Sequence, residues 1–177
     1  MNNIEIAERV NNKIRIIPDF PKKGISFKDI TTAIKDAETL ALIMDWFVDE
    51  LKDKKIDYVV GLESRGFIFA PTIAYKLGAG FIPIRKPGKL PYKVEKASYE
   101  LEYGSDTIEI HKDAIEKGKN VVIIDDLLAT GGTAAAAIEL VNKLGGNISA
   151  VAFLMEIAFL DGRKKLPDIE TISLIKV

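Results

Sequence analysis

Residues 121–133 read VVIIDDLLATGGT. A run of β-branched residues ends in two adjacent aspartates, Asp125 and Asp126, and runs into a short loop holding two threonines and two glycines. The apolar run has the length of a buried strand. Beyond the loop, TAAAAIELVNKL (133–144) carries Ala137, Leu140, Val141 and Leu144 at helical spacing, with Gly145 and Gly146 ending it. The loop LLATGGT therefore joins the carboxyl end of a strand to the start of a helix. Helix starts offer unpaired backbone N–H groups and the positive end of a dipole, so they hold phosphate. Gly131 and Gly132 let the backbone wrap closely around an anion, and Thr130 and Thr133 add hydroxyl donors. The stretch is not a Walker loop: the G-x-x-x-x-G-K-[ST] spacing and its lysine are missing. A cradle this short, Ala129 to Thr133, fits one phosphomonoester.

The aspartates follow from the same reasoning. Carboxylates only accept hydrogen bonds, so they would repel a phosphate they touched. They suit hydroxyl donors one sugar away, or a metal ion. A sugar phosphate meets both demands, with its 5′-phosphate in the loop and its vicinal diol facing Asp125 and Asp126. An ordinary strand-end turn also favours Asp and Gly, but it leaves the whole thirteen-residue pattern to coincidence.

The rest of the chain is consistent with one domain of 177 residues. Apolar residues make up 47% and charged residues 29%, an ordinary globular balance. Lys plus Arg is 25 and Asp plus Glu 26, which argues against a nucleic-acid clamp or a polybasic membrane binder. With no cysteine, disulfides and thiolate metal sites are excluded, and one histidine rules out a multi-histidine metal site. No apolar run approaches the roughly 20 residues that span a bilayer. The start, MNNIEIAERV, lacks a basic region followed by an apolar core, so it reads as no secretory signal and a cytoplasmic location is expected.

Helical spacing predicts helices over 2–14 (Ile6, Val10, Ile14), 38–54 (Leu40, Ile43, Phe47, Leu51) and 66–80 (Ala70, Ile73, Ala74, with Gly78 as the stop). Pro71 is tolerable only near the first turn, which constrains where the last of these begins. Pro18, Pro21 and Gly24 break regular structure between the first two. Strands are predicted at 57–62, 80–84, 107–111, 121–126, 148–157 and 171–177. Residues 85–106, with prolines, glycines, many charges and no sustained period, read as a long polar connection of the kind that forms lids and binding loops. Strands alternating with helices give an α/β fold, a mostly parallel twisted sheet flanked by helices. Ligands in such sheets bind at the carboxyl ends of strands.

The stretch 121–133 resembles the phosphoribosyl pyrophosphate signature of the type I phosphoribosyltransferases. DFPKKGISFKDIT (19–31), GLESRGFIFAPTIAYKLG (61–78), IRKPGKLP (84–91) and SYELEYGSDTIEIHKDAI (98–115) are similar, in order, to the branch of that family acting on adenine. The resemblance covers nearly the whole chain. It implies the type I phosphoribosyltransferase fold with an N-terminal hood over 1–35 and a mobile lid loop over 87–106. It also implies a homodimer, purine salvage, and adenine and 5-phosphoribosyl 1-pyrophosphate as substrates giving AMP and pyrophosphate. Mg²⁺ is implied as cofactor, held mainly by substrate phosphates with Asp125 and Asp126 as possible ligands.

The resemblance also implies roles for residues outside the central motif. Glu63, Ser64 and Arg65 match the pyrophosphate loop, where a cis peptide at Glu63–Ser64 is expected and Arg65 supplies paired donors to phosphate oxygens. Arg85 and Lys86 end the next strand and are both placed on the pyrophosphate, Lys86 being similar to the family's pyrophosphate-binding lysine. A solvated basic pair is the plainer reading for Lys89 and Lys93. Glu102 and Tyr103, beside Tyr99 and Glu100, match the lid over the reacting centre. Together with Arg65 they are the catalytic candidates, with Glu102 exchanging a proton with the purine. Ser26, Phe27 and Lys28 match the hood around adenine, and Leu127 is placed against the purine's other face. Lys28 departs from the commoner Arg, which removes bidentate geometry. His111 receives no role, Glu156 marks either a strand end or a dimer contact, and LDGRKKLP (160–167) reads as a polar turn that also resembles the family's tail.

Two alternatives stand beside this reading. One is transfer to another base, such as hypoxanthine, guanine, xanthine or a pyrimidine. The other is a non-catalytic purine-sensing regulator of the same fold, although no basic helix-turn-helix pair is seen in the roughly twenty residues before the hood motif DFPKKGISFKDIT. A dinucleotide-binding fold is disfavoured, since no G-x-G-x-x-G occurs.

Overall fold

The structure, a computed structural model, describes residues 1–100 and 104–177. Contacts divide the chain into two compact units, Met1–Asp49 and Glu50–Val177.

The first unit opens with α1 (Asn3–Asn11), whose start carries a capping box between Asn2 and Glu5. Ile14 is buried as its spacing predicts, but it lies beyond the end of the helix. A short antiparallel pair follows, β1 (Arg15–Ile17) with β2 (Phe27–Asp29), which the sequence reading did not contain. Arg15 Nε donates to Asp29 Oδ2 at 3.1 Å and helps to fix this pair. The Thr31 hydroxyl, then Arg15, hold the Asp29 carboxyl down to about 2. The peptide Phe20–Pro21 is cis. After the single turn α2 (Thr31–Ile34), α3 (Ala37–Leu51) begins where Asp36 accepts from the Thr39 N–H at 3.0 Å. Ile43, Phe47 and Leu51 are fully buried along the predicted stripe.

The second unit is built on five parallel strands in the order β4-β3-β7-β8-β9. They are β3 (Tyr58–Leu62), β4 (Gly80–Ile84), β7 (Asn120–Leu128), β8 (Asn147–Glu156) and β9 (Thr171–Lys176). Both faces are covered, which is why these strands read as continuous apolar runs. The helix α4 (Gly66–Leu77) packs on β3, β4 and β7, with Phe69, Ala70 and Ile73 fully buried. Helix α5 (Gly132–Lys143) joins Val60, Leu62, Val121 and Ile123 in a separate core cluster. The chain leaves β3 toward β4 on one side, and leaves β7 toward β8 on the other. The gap between the ends of β3 and β7 is thus a topological switch point, where crevices form.

Two expectations need correction. Pro71 is the sixth residue of α4 rather than part of its first turn. It forgoes the bond to the Phe67 carbonyl, a cost of about 3 kcal/mol that burial of the α4 face offsets. Part of the predicted polar connection, 85–106, is β5 (Val94–Glu100), paired antiparallel with β6 (Ser105–His111). Its inward apolar set is small, and polar cross-strand pairs do much of the joining. Ser98 and Thr107 hydroxyls lie 2.8 Å apart, and Lys96 meets the buried Glu109 at 2.7 Å. Ala97, Ile108 and Ile110 enter the α5 cluster. Backbone bonds between Arg85 and Glu109 tie this hairpin to the end of β4. No described helix is long and apolar enough to cross a membrane.

Phe69 is the largest of the fully buried side chains of α4, the helix that packs on β3, β4 and β7. Phe69→Ala is expected to cost about 3–5 kcal/mol by cavity formation, read as a lower urea midpoint with an unchanged slope.

Candidate functional site

The carboxyl ends of β3, β4 and β7 meet the starts of α4 and α5 around one crevice with two compartments. The first, of about 200 Å³, is lined by Asp125 to Ala134 together with Arg65. The second, of about 380 Å³, is lined by Glu63, Ser64, Arg65, Lys86, Tyr99, Asp125, Asp126 and Thr133. They share Arg65, the acidic pair and Thr133.

The first compartment holds the loop Ala129–Thr133. Gly131 caps α5 at φ +81°, a left-handed conformation that favours glycine. The first turn of α5 leaves N–H groups without helical partners, aimed at this compartment's end. The strand β7 runs two residues further than predicted, so Leu127 and Leu128 belong to it; Leu127 lines the crevice and Leu128 is buried.

At the junction lie the aspartates. Asp126 is 6% exposed and accepts from Arg65 Nε at 2.5 Å. Asp125 Oδ1 accepts the Asp126 N–H at 2.9 Å. Burial, and then the negative charge of Asp126 beside it, push the Asp125 carboxyl well up from its ordinary value. The pair thus divides its work: one carboxylate is balanced by a guanidinium, and its neighbour is biased toward holding a proton.

Lys86 and Tyr99 line the second compartment, and Asp106 bonds to both of them. The Lys86 ammonium is ion-paired with Asp106 and lies 3.4 Å from the Tyr99 hydroxyl, which donates to Asp106 at 3.0 Å. Burial acts to lower the Lys86 pKa, but Asp106 and Tyr99 outweigh it and raise it. Asp106 is held low, first by Lys86. The Tyr99 ring also abuts the anion loop, since a Cβ on Gly132 would come within 3.1 Å of it.

Glu63 and Arg85 are turned toward each other. Arg85 Nε and Nη2 donate to the Glu63 carboxylate at 3.1 and 3.2 Å, and the Lys86 N–H adds a bond at 2.9 Å. The Lys86 N–H, then Arg85, hold Glu63 below its usual range. This fork ties the ends of β3 and β4 together, and Arg85 is not among the residues lining the crevice. The Glu63–Ser64 peptide is cis.

The structure thus brings Ser64, Arg65, Lys86, Asp125, Asp126, Leu127 and Ala129 to Thr133 around one space. Ser26, Phe27 and Lys28 lie in the N-terminal unit, where Phe27 begins β2 and meets Phe20 edge-on at 5.2 Å. Glu102 and Tyr103 lie outside the described residues. Sequence reasoning missed Asp106 and gave Tyr99 no role. Their available signal is alternation along β5 and β6, obscured by the polar composition of that hairpin.

A family model described as phosphoribosyl transferase domain matches residues 31–173. The chain belongs to the phosphoribosyltransferase family. Adenine phosphoribosyltransferase of Clostridium botulinum (strain Alaska E43 / Type E3) is 58% identical over 165 residues, covering 93% of this chain and 96% of that protein. The crystal structure of adenine phosphoribosyltransferase from Thermoanaerobacter pseudethanolicus superposes with a TM-score of 0.93 at 53% identity, covering 97% of this chain and 99% of that one. That of the Saccharomyces cerevisiae enzyme, complexed with an imino-altritol bisphosphate and adenine, gives 0.93 at 46% identity with the same coverage.

Asp106 already occupies the Lys86 ammonium. Asp106→Asn is expected to raise the affinity of the crevice for pyrophosphate, measured calorimetrically, about two- to fivefold, the scale of a partly exposed ion pair. Unchanged affinity would show that the pair does not compete with an incoming anion.

Proposed function

We propose that this protein transfers the 5-phosphoribosyl group from 5-phosphoribosyl 1-pyrophosphate to adenine, giving AMP and pyrophosphate in purine salvage. The observation carrying this reading is the shared crevice: a helix-start anion loop, an acidic pair and a lysine–arginine compartment, in that order. A donor with a phosphate at one end, a diol in the middle and a pyrophosphate at the other matches that order group by group.

The 5′-phosphate takes the N–H groups and hydroxyls between Ala129 and Thr133. The ribose hydroxyls donate to Asp126 and Asp125. Pyrophosphate takes Lys86 and Arg65, with Ser64 beside them; in this reading Glu63 and Arg85 hold that loop in place. As the glycosidic bond breaks, C1′ gains cationic character, and the Asp126 carboxylate lies near it to stabilise charge. Adenine N9 attacks the opposite face. Most of the rate advantage comes from holding the partners in line. Ser26, Phe27, Lys28 and Leu127 carry the base contacts, and Glu102 with Tyr103 completes the catalytic set.

The Asp126 carboxylate, and Asp125 once a cation displaces its proton, would offer hard oxygen donors suited to Mg²⁺, and among the described residues no group of three or more His, Cys, Asp or Glu is placed to hold an ion. When bound, Mg²⁺ neutralises the departing pyrophosphate. A homodimer and a cytoplasmic location belong to the same proposal, the latter in keeping with a chain that has no cysteine.

The deciding experiment incubates the protein with the donor, magnesium chloride and each purine or pyrimidine base in turn, and identifies the nucleotide. AMP from adenine is expected. Another nucleotide in its place would reassign the base, and tight binding without any product would favour the sensing alternative. Replacing both Asp125 and Asp126 by Asn should lower kcat/KM on the order of 10²-fold, the scale of lost positioning, while circular dichroism stays native. Near-normal activity would remove the diol assignment. Glu102→Ala should reduce kcat on the order of 10²-fold as expected for lost proton transfer, with a smaller change in donor KM; the reverse pattern would make Glu102 a binding residue only.

A further inference from the structure

The anion loop rests on another piece of backbone. After β8, a 3-10 turn over Gly162–Lys165 passes beneath it. A Cβ on Gly162 would collide with the Ala129 carbonyl oxygen and lie 3.1 Å from the Gly131 nitrogen. A Cβ on Gly131 would in turn collide with the Gly162 carbonyl oxygen. No side chain separates the two segments, so wherever the turn sits, the loop sits.

The turn is fixed by its next residue. Arg163 Nε and Nη2 each donate to the Glu156 carboxylate at 2.7 Å, Nη1 donates to the Thr171 carbonyl at 2.8 Å, and Nη2 reaches the Ser173 hydroxyl at 3.0 Å. Ser173 donates to Glu156 at 2.7 Å. All three guanidinium nitrogens are engaged, an arrangement a lysine cannot reproduce. Glu156 is buried at the end of β8, directly across from Leu128, the last residue before the loop. The Ile157 N–H also donates to the Leu128 carbonyl at 2.9 Å. A closed ring results: loop, Leu128, Glu156, Arg163, Gly162, loop.

Glu156 is buried but the Arg163 side chain is 38% exposed, so the pair is a weak source of stability: desolvation of the carboxylate and solvent screening of the guanidinium consume most of its attraction. It does impose a fixed geometry, and here both of its ends flank the anion loop. We propose that Glu156 and Arg163 are positioning residues for that loop, acting through the backbone contact of Gly162 with Ala129 and Gly131. The kinetic consequence rests on the phosphoribosyl-transfer reading: a displaced loop weakens the donor's 5′-phosphate in ground and transition states alike.

The test uses Gly162→Ala, which wedges a methyl into the contact, and Arg163→Lys, which keeps charge and stem but breaks the fork. In the ligand-free proteins, amide hydrogen exchange at Ala135 and Ile157, whose N–H groups bond the Gly131 and Leu128 carbonyls, should accelerate about tenfold, with exchange in β3 unchanged. The donor KM should rise about tenfold while kcat and the adenine KM stay within about twofold, the pattern of lost uniform binding. Wild-type exchange rates in both variants would overturn the proposal. So would a lowered melting temperature with an unaltered donor KM, which would leave the ion pair a purely stabilising contact. Should wild type itself make no AMP, the function reading fails separately, and the exchange rates still decide whether the ring holds the loop.

Discussion

Two carboxylates cannot stand side by side at the buried end of a strand unless something absorbs their charge. Here Arg65 balances Asp126 at 2.5 Å, and Asp125 is driven toward its neutral form by burial and by its neighbour. That solution dictates much around it. It needs the start of α4 close to the end of β7, so close that a Cβ on Gly66 would meet the Ile124 carbonyl oxygen at 2.8 Å. It therefore needs Phe69, Ala70 and Ile73 to seat α4 firmly on the sheet. The crevice between β3 and β7 follows from placing these groups at the point where the chain reverses its direction of travel across the sheet.

Around this junction, among the described residues, three further charged pairs are matched within the protein. Glu63 is held by Arg85, Lys86 by Asp106, and Glu156 by Arg163. The three pairs differ in what they leave available. The Glu63–Arg85 fork joins two strand ends and the Glu156–Arg163 pair lies under the loop, whereas in the Lys86–Asp106 pair the lysine itself lines the crevice. An incoming polyanion would compete with Asp106 for Lys86. Charge matching by the protein thus separates framework from surface that a ligand can claim.

The sequence made some of this legible because the signal was local. A thirteen-residue stretch contained the strand, both acids, the loop and the helix start, and α4 announced its end at Gly78. The stripe Ile43, Phe47 and Leu51 was visible for the same reason. What escaped was set by distance along the chain or by weak periodicity. The three-residue pairing of β1 with β2 buries too little to leave a pattern. β5 looked like a loop because Lys96, Ser98 and Glu95 interrupt its apolar positions and find partners only across the hairpin. Pro71 was expected in a first turn because local propensity argues so, and tertiary packing overrode it. Asp106 looked like one more surface acid until folding placed Lys86 beside it. The Gly131–Gly162 contact joins residues far apart in sequence, and neither glycine's neighbours hint at the other.

The two compartments meet at Arg65, the acid pair and Thr133 but keep their own far walls. A molecule stretched across both and then severed in the middle would leave each fragment with its own anchorage. Departure of one piece would not oblige the other to go, so exit can proceed stepwise, with the remaining fragment still seated when the vacated half is refilled.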